Sequence, residues 1–169
     1  MPLMETGMSI SDLLSAHNVI LDAGPANKET LLELLSTEAA SRIGCQKEEI
    51  LKALQAREHI GSTALGKGVA LPHTELRGTE TPLVLFARLR RPIDFDARDD
   101  EPVDLFFLVL WPTATRKGLL PVMGEICQAL RDPQSLRRLR QAETPEAVVQ
   151  LVRQALPPDA GLEMDEDEF

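Results

Sequence analysis

With 169 residues and 43% apolar content, the chain has the material for one globular core, and by size it should bury about two-thirds of the surface its unfolded form exposes. Its net charge of −9 is distorted by the tail: six of the 27 acidic residues fall between 159 and 168 with no basic residue among them, leaving 21 acidic against 18 basic elsewhere. That balance, without a basic stripe, argues against nucleic acid as a partner; the longest apolar run, 105–111, is too short to span a bilayer, and the N-terminus lacks the features of an export signal, so the chain is expected in the cytosol.

The elements follow in order. Ser9 caps a first short helix carrying Ile10, Leu13 and Leu14, and His17 to Leu21 reads as a brief strand before the breakers Gly24 and Pro25. From the cap Asn27, the positions Leu31, Leu32, Leu35, Ala39 and Ile43 repeat at helical spacing, with Gly44 as the stop. A second helix follows with Ile50, Leu51 and Leu54 on its core face, ending near Arg57 to His59. Val69 to Leu71, Leu83 to Leu89 and the nearly unbroken apolar run Val103 to Leu110 have strand character, the last reading as central. Beyond Pro112 a helix places Leu119, Leu120, Met123, Ile126, Cys127 and Leu130 on one face, and short helices follow around Leu136 to Leu139 and Val148 to Leu156. The order predicts an α/β fold of three layers, a mixed β-sheet with helices on both faces. Residues 1–156 read as one domain, and the acidic segment 157–169 after Pro157 and Pro158 has too few apolar groups to order itself. Cys45 and Cys127 belong to no metal-binding or redox spacing and read as buried small hydrophobes.

The segment Arg57 to Leu76, R-E-H-I-G-S-T-A-L-G-K-G-V-A-L-P-H-T-E-L, carries the chemistry. Gly61 to Lys67 fits G-x-x-x-x-G-K, a phosphate-cradling loop, but Gly68 stands where a metal-binding hydroxyl is needed, and the loop follows a helix and leads into a strand, the reverse of what such a loop requires. His73 is the better candidate. It lies just past an apolar strand, behind Pro72, and before Thr74-Glu75-Leu76, which can open a helix. At an ordinary pKa of about 6.5 imidazole keeps a neutral nucleophilic nitrogen near neutral pH, and its phosphoramidate can pass a phosphoryl group on. His17 and His59 have no such company.

Taken with its surroundings, G-S-T-A-L-G-K-G-V-A-L-P-H resembles the active-site segment of the fructose, mannitol and nitrogen-regulatory enzyme IIA domains of the phosphotransferase system, closest to the nitrogen-regulatory kind. P-I-D-F-D-A-R-D-D-E-P-V-D-L-F-F-L-V-L-W-P resembles the second signature of that family, and L-R-R-L-R-Q-A-E-T-P-E-A-V-V-Q-L its C-terminal helices, so the likeness runs over residues 9–156. It implies a phosphoryl group taken up on His73 from a small phosphohistidine carrier protein, with Arg57 beside the ring and Ser62 and Thr63 as hydroxyls for the imidazole or the phosphate. The resemblance implies no cofactor and no metal, so Asp94, Asp96, Asp99 and Asp100 read as a solvated loop. Gly61, Gly66 and Gly68 read as backbone positions closed to larger residues, or as plain turn residues.

Two departures stand out. Thr74 occupies a position where many relatives have glycine, and the second histidine usual at the start of the helix after the second signature is missing, Leu119 and Pro121 standing nearest. Without a sugar-transport domain in the sequence, the chain reads as a regulatory phosphocarrier whose target the sequence does not name; a binding module in which phosphorylation is vestigial and an enzyme IIA serving a sugar permease are the rival readings.

Overall fold

The computed structural model describes residues 8–156, and the acidic segment 157–169 lies outside the described residues. The described chain forms two compact units, residues 20–114 and residues 8–19 with 115–156. It contains a mixed sheet of six strands together with six α-helices.

The first unit holds the sheet. Strand β1 (Val19–Ala23) starts two residues later than the sequence suggests, because Ala16–Asn18 wind into a 3-10 turn. The first helix of this unit is α2 of the chain (Lys28–Ile43): Asn27 and Thr30 satisfy each other's backbone N–H groups at 2.9 and 3.1 Å, and Gly44 ends it with φ of 71°, a conformation that suits glycine. Helix α3 (Lys47–Ile60) follows almost at once. Their apolar stripes, Leu31, Leu35, Ile50 and Leu54, share a core cluster with Leu85, Phe106 and Leu108 of the sheet.

The strands β2 (Ala64–Gly66), β3 (Val69–Ala70), β4 (His73–Leu76), β5 (Leu83–Ile93) and β6 (Val103–Pro112) complete the sheet. Its order is β1-β5-β6-β3-β2, with β4 also on β6. Strands β5 and β6 pair antiparallel and are buried on successive residues, which is why their sequences are continuous apolar runs instead of alternating ones. The paired Phe86 and Phe107 meet edge to face at 5.0 Å, and Phe95 and Phe106 do so at 5.2 Å.

Strands β3 and β4 are two parts of one run laid parallel along β6. Val69 faces Leu105 and His73 faces Val109, so the register is the same on both sides of the break at Leu71–Pro72. The Pro72 carbonyl still accepts the Val109 N–H at 2.9 Å. Thr74-Glu75-Leu76, read from the sequence as a helix start, is therefore strand: pairing with the edge of β6 decides its conformation, against its local preference.

The second unit is helical. Helix α1 (Ile10–Leu13) is capped by Ser9, and its Ile10 N–H donates to the Glu125 carboxylate of α4 (Leu119–Ala129) at 2.7 Å. Helices α5 (Pro133–Gln141) and α6 (Pro145–Ala155) each begin with proline behind a capping side chain, Asp132 and Thr144. Val122, Glu125 and Ala129 are buried on α4, whereas Leu120 and Cys127, expected on its core face, are only half-buried; Cys45 is buried. Among the described residues no helix is long and apolar enough to cross a membrane.

Candidate functional site

Every candidate from the signature segment lies in the sheet unit, between the end of α3 and the start of β4. His73 opens β4 and is half-buried. Its Nδ1 lies 2.8 Å from the Leu71 carbonyl oxygen. A carbonyl can only accept, so Nδ1 carries the proton and the lone pair is on Nε2. Among the described residues nothing else bonds the ring. Burial is the main cause that pushes the His73 pKa below its usual value; the Arg57 cation acts the same way, while the Leu71 carbonyl and the Glu58 carboxylate oppose it. The ring is thus neutral at neutral pH, with its nucleophilic nitrogen defined.

Why the Leu71 carbonyl is there to be used follows from the sheet. Ala64 pairs antiparallel with Ala70, so Thr63 and Leu71 are the next pair, and the Leu71 N–H does donate to the Thr63 carbonyl at 3.0 Å. The return bond is not made. The Thr63 N–H donates instead to Glu58 Oε1 at 3.2 Å, and the Thr63 hydroxyl donates to Glu58 Oε2. Lys28 Nζ sits 3.0 Å from the same carboxylate, 3.3 Å from Asp96 and 4.5 Å from the centre of the Phe95 ring.

Arg57, in the last turn of α3, donates one Nη1 bond to the Gly61 carbonyl at 2.9 Å. Its other donors engage no partner among the described residues, and its charge is felt at the His73 ring. The two hydroxyls expected for the imidazole or the phosphate have other partners here: Ser62 Oγ donates to the Phe95 carbonyl at 2.6 Å and accepts from the Ala64 N–H at 3.1 Å, and Thr63 is held by Glu58. They shape the segment that pairs with Leu71, and neither hydrogen-bonds the ring.

Gly61 has φ of 166°, extended backbone open to any residue, with nothing near where a Cβ would stand, so the conformational reason for a glycine is absent there. The need is real in the β2–β3 hairpin, where Gly66 and Gly68 have φ of 94° and 81° and Lys67 between them takes 59°. The Lys67 N–H donates to Asp99 Oδ2 at 2.9 Å, which ties the hairpin to the aspartate loop and draws the Asp99 pKa down. Asp94 and Asp99 also accept from the backbone of Asp96 and Glu101, as turn residues do, and no group of metal-holding side chains gathers among the described residues.

Three residues of this region were not singled out from the sequence. Glu58 is buried with 8% exposure, and the spacing Ile50, Leu54, Glu58 on α3 places a carboxylate on the apolar stripe, a visible anomaly. Ile60 and Leu65 flank the Gly61–Thr63 segment and are 82% and 49% exposed. Leu119 and Pro121, nearest the place of the missing histidine, open α4.

Comparison with known proteins gives a consistent answer. Residues 12–155 match the family described as phosphoenolpyruvate-dependent sugar phosphotransferase system, EIIA 2. A nitrogen regulatory protein of Bradyrhizobium diazoefficiens is 36% identical over 151 residues, covering 89% of this chain and 97% of that protein. The crystal structure of the nitrogen regulatory protein IIA-Ntr from Neisseria meningitidis superimposes with a TM-score of 0.78 at 29% identity, covering 85% of this chain and 98% of that one. In a solved complex of enzyme IIA mannitol with phosphorylated enzyme IIB mannitol from Escherichia coli, the matching chain gives a TM-score of 0.70 at 19% identity over 83% of this chain and 97% of that one, a likeness of fold.

Proposed function

The chain belongs to the phosphoenolpyruvate-dependent sugar phosphotransferase system EIIA 2 family, and from that premise we propose that it is a phosphohistidine carrier, with His73 as phosphoryl acceptor and a regulatory role like that named for its nitrogen regulatory relatives. The observation that carries the reading is the Nδ1–H bond to the Leu71 carbonyl, which leaves Nε2 as the nucleophile. The Nε2 lone pair attacks the phosphorus of the donor's phosphohistidine as the donor's P–N bond breaks, and the donor imidazole departs with that electron pair. Each ring keeps its own proton. His73 gains positive charge as the new P–N bond forms, and the Leu71 carbonyl, already in contact with Nδ1–H, then accepts a stronger bond. The donors of Arg57 that engage no described residue are suited to the phosphoryl oxygens.

The donor in this reading is a small phosphohistidine carrier protein. Exposed Ile60 and Leu65 supply apolar contacts for a protein to dock beside the ring. Onward transfer is the open arm: an enzyme IIB domain of the kind present in the mannitol complex is the acceptor if the chain serves a sugar permease, and a regulated protein reads the phosphorylation state if it does not. Relatives named for nitrogen regulation favour the second arm. Incubation with labelled phosphoenolpyruvate and the two general phosphotransferase proteins tests the reading. Acid-labile, alkali-stable label that disappears in His73→Ala supports it; an unlabelled wild-type protein leaves a pure binding module as the function.

A further inference from the structure

We propose that Glu58 is a positioning residue for the His73 ring: by drawing the Thr63 N–H out of the β2–β3 ladder it leaves the Leu71 carbonyl to the imidazole, which fixes the proton on Nδ1 and the lone pair on Nε2. The inference deepens the phosphocarrier reading and rests on it only for the consequence to transfer rate.

Three observations carry it. Glu58 sits where a carboxylate is disfavoured twice, buried on an apolar stripe and in the last turn of α3, at the negative end of the helix dipole. Its two oxygens nevertheless gather three donors: Lys28 Nζ, the Thr63 N–H and the Thr63 hydroxyl. The second observation is what Thr63 does not do. In a regular antiparallel pair it would exchange both backbone bonds with Leu71, and only the Leu71-to-Thr63 bond is present at 3.0 Å. The third is that the freed carbonyl is the one on which the His73 ring rests, at 2.8 Å. A buried carbonyl keeps a donor when it can. Without the carboxylate, the Thr63 N–H is the nearest backbone candidate to reclaim it. Lys28, Glu58, Thr63, Leu71 and His73 therefore form a continuous run of contacts from the start of α2 to the start of β4, and none of the first three hydrogen-bonds the ring.

Glu58→Gln and Glu58→Ala separate positioning from plain structural support. The glutamine amide keeps an oxygen for Lys28 and the Thr63 N–H and offers its NH2 to the Thr63 hydroxyl, which can accept, so the geometry survives. Alanine abolishes it, while Lys28 retains Asp96 at 3.3 Å. The readout is the ring itself: 15N shifts of histidine-labelled full-length protein report which nitrogen is protonated. Wild type and Glu58→Gln are expected to hold the proton on Nδ1. In Glu58→Ala it should redistribute towards Nε2, with phosphoryl uptake slowed on the order of tenfold, as expected when an orienting partner is lost. A role in stability alone would lower the melting point of Glu58→Ala and leave the tautomer in place, and that result overturns the proposal. Should Glu58→Ala fail to fold, the wild-type protein decides: a scalar coupling across the hydrogen bond from His73 Nδ1 to the Leu71 carbonyl carbon is expected, and a coupling to that carbon from the Thr63 amide nitrogen instead overturns it. A wild-type ring protonated on Nδ1 in a protein that takes up no phosphoryl group supports the positioning and overturns the carrier reading alone.

Discussion

Removing Arg57 tests the site without touching its nucleophile. In Arg57→Ala one exposed hydrogen bond to the Gly61 carbonyl, 2.9 Å long at the end of α3, is lost, so stability should fall by no more than about 1 kcal/mol. The effect on phosphoryl transfer should be larger. A charge-assisted hydrogen bond to a phosphoryl oxygen contributes about 1.5–3 kcal/mol, which as transition-state stabilisation corresponds to uptake slowed about 10- to 150-fold. A second signature comes from the ring. The Arg57 cation helps to hold the His73 pKa down, so its removal should raise that pKa and move the acid limb of the uptake profile to higher pH. Arg57→Lys keeps the charge but not the planar fork, and should leave the titration near wild type while transfer stays slow. Single-turnover uptake from a phosphorylated carrier protein, measured by quench between pH 5 and 8, reads both effects, with histidine NMR giving the pKa directly. Wild-type rates together with an unmoved His73 titration in Arg57→Ala would refute the reasoning and leave Arg57 as a solvated helix-end charge.

Other expectations follow from burial and titration. Because the His73 pKa is lowered in the fold, its contribution to stability is present above the ordinary histidine value and is lost as pH falls from about 6.5 towards the folded pKa; urea unfolding across that window should show a drop that His73→Gln removes. Glu125 acts in the opposite sense: burial raises its pKa despite the Ile10 N–H bond, so wild-type stability should decline as pH rises from the ordinary carboxylate range through the folded pKa, and Glu125→Gln should flatten that decline in the same unfolding series. Phe106→Ala, which deletes a fully buried ring edge-on to Phe95, should cost about 3–5 kcal/mol by denaturant titration and leave the ring tautomer of His73 unchanged.

What could be read from the sequence was whatever a residue's near neighbours decide. Asn27 and Gly44 delimit α2 because their roles depend on residues within one turn, and the apolar run from Val103 is a buried strand because nothing but burial on both faces requires it. Legibility failed where a distant partner overrules local preference. Thr74-Glu75-Leu76 is strand because Leu110, Trp111 and Pro112 lie alongside it. His73, Arg57, Ser62 and Thr63 could be picked out together as candidates from one segment, but the hydroxyls' partners could not: Ser62 answers to Phe95, 33 residues away. Glu58 was legible in part, as a charge in an apolar stripe, but its meaning needed the register of Thr63 against Leu71.

The central claim is that His73 presents Nε2 to an incoming phosphoryl group because Leu71 holds Nδ1–H. Long-range 1H–15N correlation of the phosphorylated, 15N-histidine-labelled protein identifies the modified nitrogen directly. The account predicts phosphoryl on Nε2 of His73, with Nδ1 still protonated and hydrogen-bonded. Phosphoryl on Nδ1, or on His17 or His59, would contradict it.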